Sequence, residues 1–448
     1  MIDARSKPGQ NSIAEYNSLS LFEWVITLFR MIKSKRLLDP YEHIFHLWKG
    51  FLMAGVEFEK PGYTEQAVEE IIRTNSGFHL KANLLGYKPT KVPPQIRRIP
   101  SNLKSLEQVA DWMHHNFTPN ARDTLATIAY DDTRVMLNTS HMCGDGVHHA
   151  KLVEHLCNPE EKWPDAVLPA SSANDFYPLI HDKKWDKEKP LTCTIEPNIS
   201  RILKKRPVST KKDAKYIPAS VRIPLSELSC YDPSTNKCHG ISESQWIANS
   251  ISCAVFNGSL EPFGVSVVYD LRRILPPEKI NDPSIQSYIS SVTVSASPRL
   301  DMTLEELSKQ MRAKFNESIE NHNYFGHMKS VWEAVWRPWR CKSVPGIGME
   351  VSSIGQIKIH RPVKNAWIVL YSPDNYEISG TSFLTYSLIS EEKKEFLGTM
   401  QFNTLELNED DGMMLTKSSE FAMKNLKGNM TVKEALDLVG EQQKNYRK

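Results

Sequence analysis

The sequence predicts an α+β protein in two halves, residues 1–180 and 216–448, joined by a basic crossover linker at 181–215. Three observations predict this organisation. Helical and strand-like patterns are mixed along the chain without an internal repeat, which is typical of α+β folds. The linker segment is polar, rich in lysine and poorly periodic, as in the run RILKKRPVSTKKDAK. The segment after it is rich in strand-like runs, and 448 residues suffice for two or three domains.

The first half mixes predicted helices and strands up to a turn rich in glycine and histidine. Apolar residues at helical spacing predict an amphipathic core helix over 14–36, with a helix on a membrane surface as the alternative. The run HIFHLWKGFLM fits either a strand or a helix. The elements predicted after it are, in order, a helix in YTEQAVEEIIRTNSG, a strand in FHLKANLLGY, a helix in NLKSLEQVADWMHHNF, strands in LATIAYDD and TRVMLNTSH, and a helix in VHHAKLVEHLC.

The second half is predicted to contain most of the strands. Helices are expected only after its third strand and near its end. The predicted elements are, in order, strands in KYIPASVRIPLSEL, FGVSVVYDLRRIL and SSVTVSAS, helices in TLEELSKQMRAKFNESIENH and MKSVWEAVW, strands in GMEVSSIGQIKI, NAWIVLYS, SFLTYSLI and EFLGTMQFNTLEL, and a helix in EFAMKNL.

Composition excludes several classes of function and location. The formal net charge is +2, so bulk charge predicts neither a nucleic-acid partner nor an acidic one. The polar start of the chain is not typical of a secretory signal, and no run reaches the roughly 18 apolar residues that span a bilayer. The seven cysteines are scattered and contain no CxxC pair, which indicates reduced thiols. We expect a cytoplasmic monomer, with loose contact to a membrane surface left open and no integral membrane segment.

The stretch TSHMCGDGVHHA concentrates the chemistry-bearing residues of the first half. A metal site is one hypothesis, because the stretch offers five possible ligands: His141, Cys143, Asp145, His148 and His149. His141 ends a predicted strand whereas the other two histidines begin a helix, so their side chains are not expected to converge. No second ligand pair such as CxxC or HExxH occurs, and we therefore expect no metal.

Catalysis by His141 is the second hypothesis. A strand would deliver this histidine to its end, and Gly144 and Gly146 would allow close approach in the turn that follows. A neutral imidazole can accept a proton at cellular pH. Asp145 could be a catalytic partner, but a carboxylate in a tight apolar turn more often binds a structural arginine, because an unpaired buried charge is costly. An ordinary crowded loop is the third hypothesis.

The residues from His141 to Gly146 resemble the HxxxDG signature of CoA-dependent acyltransferases, the superfamily with the chloramphenicol-acetyltransferase-like, condensation-type fold. The context is similar as well, because an apolar strand precedes the motif and a helix follows it. VVYDLRRILPP resembles the segment that carries the arginine partner of the motif aspartate. VSSIGQIKI is similar to the SNxG strand of fungal alcohol acetyltransferases, and SFLTYSLI and FLGTMQFNTLEL resemble the closing strands. The resemblance covers roughly residues 14 to 427 and is nearest to the alcohol acetyltransferase branch.

The chain departs from the superfamily patterns in three places, two of them in motifs of other branches and one in the nearest branch. Peptide-synthetase condensation domains usually carry HHxxxDG, and Ser140 stands at the first histidine here. The plant branch carries a DFGWG motif that this chain lacks. In the SNxG segment, Ser353 replaces the asparagine. These departures argue against carrier-protein condensation and leave the acceptor open.

The resemblance implies two chloramphenicol-acetyltransferase-like lobes of mixed sheet flanked by helices, with an active-site channel between them. It implies that His141 is the general base, that Asp145 is structural and pairs with Arg272, with Arg273 as the alternative, and that Gly146 permits the turn. It also implies acyl-CoA as co-substrate, with acetyl-CoA expected. No bound cofactor and no acyl-enzyme are then needed. The acceptor would be a small or lipid-like alcohol or amine.

Three smaller groups of residues each have a functional and a structural interpretation. Ser352 or Ser353 could donate to the oxyanion, or both could be ordinary strand serines. Basic linker residues could bind the CoA phosphates, or they could belong to a solvated loop. Trp332, Trp336 and Trp339 could line an acceptor tunnel, or they could be core residues. The CoA candidates are Lys204, Lys205 and Arg206, followed by Lys211 and Lys212.

Two alternatives to acyl transfer from acyl-CoA remain open. One is carrier-protein-linked condensation. The other is a non-catalytic binding protein that retains the fold. Cys143 as a nucleophile is disfavoured because the sequence offers it no partner base except His141.

Overall fold

The computed structural model describes residues 38–83, 86–158, 161–172, 176, 199–336, 346–375 and 380–446. The predicted helix over 14–36, the linker residues 181–198 and Trp339 lie outside the described residues. The same holds for the side chains of Trp332 and Trp336. The helices are α1 Pro40–Trp48, α2 Thr64–Thr74, α3 Leu106–Asn116, α4 Gly146–Leu156, α5 Ile241–Asn257, α6 Leu304–Glu320, α7 Asn323–Trp336, α8 Glu409–Asn425 and α9 Val432–Tyr446.

The strands of the described residues form two large sheets and two short hairpins. They are β1 Phe51–Phe58, β2 Leu80–Asn83, β3 Gly86–Pro89, β4 Gln95–Arg98, β5 Ala126–Tyr130, β6 Arg134–Ser140, β7 Arg201–Ile202, β8 Tyr216–Pro224, β9 Tyr231–Asp232, β10 Lys237–Cys238, β11 Gly264–Asp270, β12 Ile289–Ser295, β13 Ile347–Lys358, β14 Val363–Tyr371, β15 Gly380–Ile389 and β16 Lys394–Asn403. Five strands, in the order β14-β1-β6-β5-β4, make the first sheet. The second sheet has the order β12-β11-β13-β15-β16-β8, with β7 paired to β13.

The structure corrects one local prediction, resolves one that left two alternatives open, and adds a helix that was not predicted. FHLKANLLGY forms β2 and the start of β3, which pair antiparallel, rather than a single strand. HIFHLWKGFLM forms both candidate structures in succession, because α1 ends at Trp48 and β1 begins at Phe51. Helix α5 was not predicted, since its residues from Gln245 to Ala254 are all buried and it therefore lacks the polar face that marks a surface helix.

One strand from the second half of the chain joins the first sheet. β14 follows β13 in the second half of the chain, yet it pairs antiparallel with β1 in the first sheet, where Ile368 lies opposite Ala54. The chain then returns to the second sheet as β15, which pairs parallel with β13. Each sheet is therefore completed by residues from beyond 216, and the first sheet is not made from the first half alone.

The second sheet presents its two faces to different surroundings. Val351, Phe383 and Met400 pack on one face with the core residues of α5, α6 and α8. Leu384 and Tyr386, from the opposite face, pack into a core shared with β1 and β14. The hydroxyl of Tyr386 accepts a hydrogen bond from the backbone N–H of Ile368 at 2.9 Å, so the second sheet contacts the first directly.

The described part of the linker is packed against the second lobe. Ile202 in β7 is buried and lies opposite Ile347 of β13. The side chain of Asn257 donates to the backbone carbonyl of Arg201 at 2.6 Å and so ties the segment to the end of α5. Within the described residues, no helix is long and apolar enough to cross a membrane. Five of the cysteines, at 143, 157, 230, 238 and 253, form no disulfide.

Replacing Tyr386 by phenylalanine tests the contact between the sheets. The N–H of Ile368 would remain buried without its acceptor, so we expect a loss of about 1–3 kcal/mol in the free energy of unfolding. Urea unfolding of Tyr386→Phe measures this, and Tyr446→Phe, at an exposed position, is the control. Equal midpoints for the two variants would show that the contact adds nothing to stability.

Candidate active site at the 141–146 turn

Strand β6 delivers His141 to the boundary between the lobes. All residues of β6 are buried, and the strand pairs with β1 so that Ser140 lies opposite Phe51. The backbone N–H of His141 then donates to the carbonyl of Gly50 at 2.9 Å, which extends the pairing by one residue. The chain turns at once into a short 3₁₀ turn, His141–Cys143, and then into α4. His141 is therefore anchored through its backbone.

The imidazole of His141 is held face to face with an aromatic ring. Its centroid lies 3.9 Å from that of Phe45 in α1, and the two rings are 8° from parallel. His141 is 8% exposed, and its Nδ1 is buried with no hydrogen-bond partner in the described part of the chain. Sequence analysis did not identify Phe45 as a site residue, because nothing in HIFH signals contact with a motif about a hundred residues later.

Burial makes the His141 imidazole hard to protonate. The pKa of His141 is lowered to about 4, mainly by desolvation and to a smaller extent by nearby His149. Its own backbone and the charge of Asp145 act in the opposite direction but do not outweigh the desolvation. The ring is therefore neutral at cellular pH. A neutral imidazole has one nitrogen with a free lone pair, which is the form that accepts a proton.

Asp145 is buried, and both of its carboxylate oxygens are fully used. Arg272 donates to Oδ2 at 2.8 Å and to Oδ1 at 3.1 Å. The backbone N–H of Tyr288 donates to Oδ2 at 2.9 Å, and that of His148 donates to Oδ1 at 3.0 Å, so Asp145 also caps α4. Burial alone would raise the pKa of Asp145, but Arg272 and these N–H groups outweigh it and hold the pKa at about 2.

Arg272 connects the turn to the second lobe. It follows β11 and also donates to Asp270 at 3.0 Å and to the backbone carbonyls of Ile285 and Gln286. The pair expected from the resemblance is thus present as a two-pronged ion pair between the lobes. Arg273, the alternative partner, lies exposed on the same turn. Tyr288, whose N–H completes the carboxylate shell, carried no signal in the sequence.

Gly146 is required by close approach rather than by an unusual backbone angle. It begins α4, and a Cβ atom there would lie 2.7 Å from Cγ1 of Ile354 in β13. Such a contact would force the turn away from the strand. Ile354 reaches this position because β13 has an irregularity between Ser353 and Gly355, where Gly355 adopts φ +99°.

The structure places the two candidate oxyanion serines on the strand that passes the turn. Ser352 is half-buried and Ser353 is exposed, directly before Ile354. Neither side chain makes a hydrogen bond with another described residue. The structure thus brings β13 to the motif turn, and the role of these serines stays a prediction.

Two of the three basic linker residues contact the second lobe. Lys205 donates to the backbone carbonyl of Phe256 at the end of α5. Arg206 donates to Asp410 at 2.9 Å and pairs with Asp411 at the start of α8. Lys204 is exposed, as are Lys211 and Lys212. Binding of CoA phosphates by these residues stays a prediction.

The five candidate metal ligands of the motif do not converge on one point. Asp145 is saturated by Arg272 and backbone donors, and Nδ1 of His149 bonds to the carbonyl of Asp145 at 2.8 Å. Cys143 is buried. In the part of the chain that the structure describes, the side chains at metal-ligand spacing are instead His114, His115 and Asp374.

Comparison with known proteins identifies the fold. No family model matches the chain and no curated protein does. Among solved structures, the first condensation domain of the calcium-dependent antibiotic synthetase is 12% identical, with 89% of this chain and 98% of that chain covered and a TM-score of 0.61. TRI3 trichothecene 15-O-acetyltransferase from Fusarium sporotrichioides is 11% identical, with 87% and 95% covered and a TM-score of 0.60.

A third structure is a variant of the starter condensation domain of rhizomide synthetase RzmA in complex with C8-CoA. It is 12% identical, with 94% of this chain and 97% of that chain covered and a TM-score of 0.58. The chain therefore has the two-lobe α+β fold shared by condensation domains and chloramphenicol-acetyltransferase-like enzymes, as the motif predicted.

Breaking the Asp145–Arg272 pair should be costly, because it leaves the buried guanidinium of Arg272 with only the more exposed Asp270 as an acidic partner. We expect Asp145→Asn to lower the free energy of unfolding by about 3–5 kcal/mol. Asp410→Asn, which breaks an exposed arginine pair, should cost under about 1 kcal/mol. Chemical unfolding of both variants gives the comparison. Similar losses in the two variants would contradict a special role for the buried pair.

Proposed function

We propose that the protein transfers an acyl group from acyl-CoA to an alcohol or amine, with His141 as general base. The observation that carries the proposal is the neutral imidazole of His141, held by Phe45 and Gly50 between the lobes on a turn that Asp145 and Arg272 fix. Rigid placement of a base is what proton transfer in a transition state requires. The condensation-type fold supports this class of reaction.

In the proposed reaction the acceptor O–H or N–H gives its proton to His141 as the acceptor atom attacks the thioester carbonyl. The new bond produces a tetrahedral oxyanion. Its collapse breaks the carbon–sulfur bond, and the CoA thiolate takes the proton back from the imidazolium. No acyl-enzyme forms. Because Nδ1 of His141 is buried, Nε2 is the nitrogen we assign to the acceptor.

The remaining roles follow as parts of the same proposal. The backbone N–H groups and the hydroxyls of Ser352 and Ser353 would donate hydrogen bonds to the oxyanion. These serines lie on β13, which contacts the turn through Ile354. Lys204, Lys205 and Arg206 would meet the CoA phosphates. Acetyl-CoA is the proposed donor and a small or lipid-like alcohol or amine the acceptor, as in the alcohol acetyltransferase branch that VSSIGQIKI resembles.

Carrier-linked condensation is the second candidate, because condensation domains are among the structures this chain resembles. Ser140 stands where such domains usually carry the first histidine of HHxxxDG, and this difference disfavours carrier-linked condensation. A donor panel that includes acyl-pantetheine as well as acyl-CoA separates the two. A non-catalytic binding protein would release no thiol from either donor.

Substitution of His141 by alanine should remove transfer without unfolding the protein. General-base catalysis is typically worth about 10²–10⁴ in rate, so we expect a loss of that size in CoA release. Mass spectrometry follows the release from acetyl-CoA with long-chain amines, sterols and short alcohols as acceptors. His239→Ala, at an exposed position, is the control. An active, folded His141→Ala protein would contradict the assignment of His141 as the general base.

The pH dependence of transfer should report the low pKa of His141. Activity needs the neutral ring, so kcat/KM should stay level from pH 8 to about 5 and fall near a pKa of about 4.

The stability of the fold should begin to decrease at a higher pH than the activity does. Histidines in the unfolded chain bind protons below about pH 6.5, whereas the folded protein holds the pKa of His46 at about 4 and that of His148 at about 3. Acid therefore favours unfolding from about pH 6.5 down to about 3.

Circular dichroism at each pH separates these two effects. A fall in kcat/KM centred near 6.5, with the fold intact, would show that the base is an ordinary solvated histidine.

A further inference from the structure

A row of polar side chains crosses four strands of the second sheet. Ser266 of β11 lies opposite Glu350 of β13, Glu350 lies opposite Ser382 of β15, and Ser382 lies opposite Gln401 of β16. Residues directly opposite one another project from the same face of a sheet. The four side chains therefore form one continuous polar row with Glu350 near its middle.

This row faces the first lobe. Side chains alternate between faces along a strand, so Ser382 shares its face with Leu384 and Tyr386. These two residues pack into the core shared with β1 and β14, and Tyr386 bonds to Ile368 of β14. The neighbours Met349 and Val351 project from the other face, toward the helices of the second lobe. Glu350 thus lies between the two sheets.

Glu350 has no cation to balance its charge within the described part of the chain. Its carboxylate forms no ion pair there, and the hydroxyl of Ser382 is the one described group that favours its ionised form. Burial raises the pKa of Glu350. The charge of Glu350 also raises the pKa of Tyr41 and of Tyr216, so both phenols lie near the carboxyl group.

Glu350 is half-buried, and a carboxylate that is partly removed from water without a cation lowers the stability of the folded protein. A glutamine would keep the size and the hydrogen bonding without this cost. We propose that Glu350 receives a positively charged group, an ammonium or guanidinium, of the ligand that binds between the lobes. The assignment of that ligand as the acyl acceptor rests on the proposed function.

The position of Glu350 separates this charged group from the motif turn. Glu350 precedes Ile354, which contacts Gly146, by four strand residues, or roughly 13 Å. On the facing helix, Tyr41 lies one turn before Phe45, the residue that stacks on His141. The ligand we infer therefore carries its cationic group at one end and the attacking atom at the other.

Binding of two matched probes to the full chain tests this proposal without any acyl donor. The probes are 8-aminooctan-1-ol, which is cationic at pH 7, and octane-1,8-diol, which is neutral and of similar length. Isothermal titration calorimetry should show at least tenfold tighter binding of the amino alcohol to the wild type. Glu350→Gln should remove that preference and leave diol binding unchanged. Glu69→Gln, which removes an exposed carboxylate on α2, should keep the preference.

Thermal unfolding of Glu350→Gln supplies the second readout. A functional carboxylate predicts a melting temperature equal to or above that of the wild type, since the substitution removes a half-buried acid that pairs with no cation among the described residues. A lower melting temperature, or no preference for the amino alcohol in the wild type, would overturn the proposal. CoA release with 8-aminooctan-1-ol is scored separately. Binding that depends on Glu350 without release would leave the cation site standing and count against acyl transfer.

Discussion

The ion pair between Asp145 and Arg272 is the contact on which the arrangement of the site depends. Asp145 comes from the first half of the chain and Arg272 from the second, so one buried interaction determines both the shape of the turn and the alignment of the lobes. The carboxylate has no capacity left for chemistry, because two guanidinium bonds and two backbone N–H groups already occupy it. Its contribution to a reaction is therefore mechanical, through the position it gives to His141.

The low pKa of His141 and its rigid stacking have a common origin. Phe45 removes water from one face of the imidazole and at the same time prevents the ring from tilting. A weaker base is the consequence, and it accepts a proton less readily than a solvated histidine would. What the site gains is a histidine that is neutral at every cellular pH. In the proposed reaction, the electrostatic cost of the imidazolium would arise only in the transition state, where a developing oxyanion nearby would offset it.

The sequence allowed the turn to be predicted much better than its surroundings. His141, Asp145, Gly146 and Arg272 follow from a local motif and from one segment that resembles the superfamily, so their pairing could be expected. Phe45 and Ile354 could not, because contacts between distant segments leave no mark on local periodicity. Burial of β14 is evident from its apolar run, but periodicity does not tell which sheet a strand joins. Glu350 was missed for a similar reason. Alternation along β13 shows which residues share one face of the sheet, but it does not show which part of the protein packs against that face.

The excursion of β14 into the first sheet has a consequence for biosynthesis. Until residues 363–371 leave the ribosome, β1 is bonded on one side only, to β6, and its outer row of N–H and C=O groups has no strand to pair with. Exposed rows of this kind recruit strands from other chains. A chain truncated before β14 would keep that row unpaired. The strand that joins the two halves of the chain therefore also covers an edge at which other chains could add a strand.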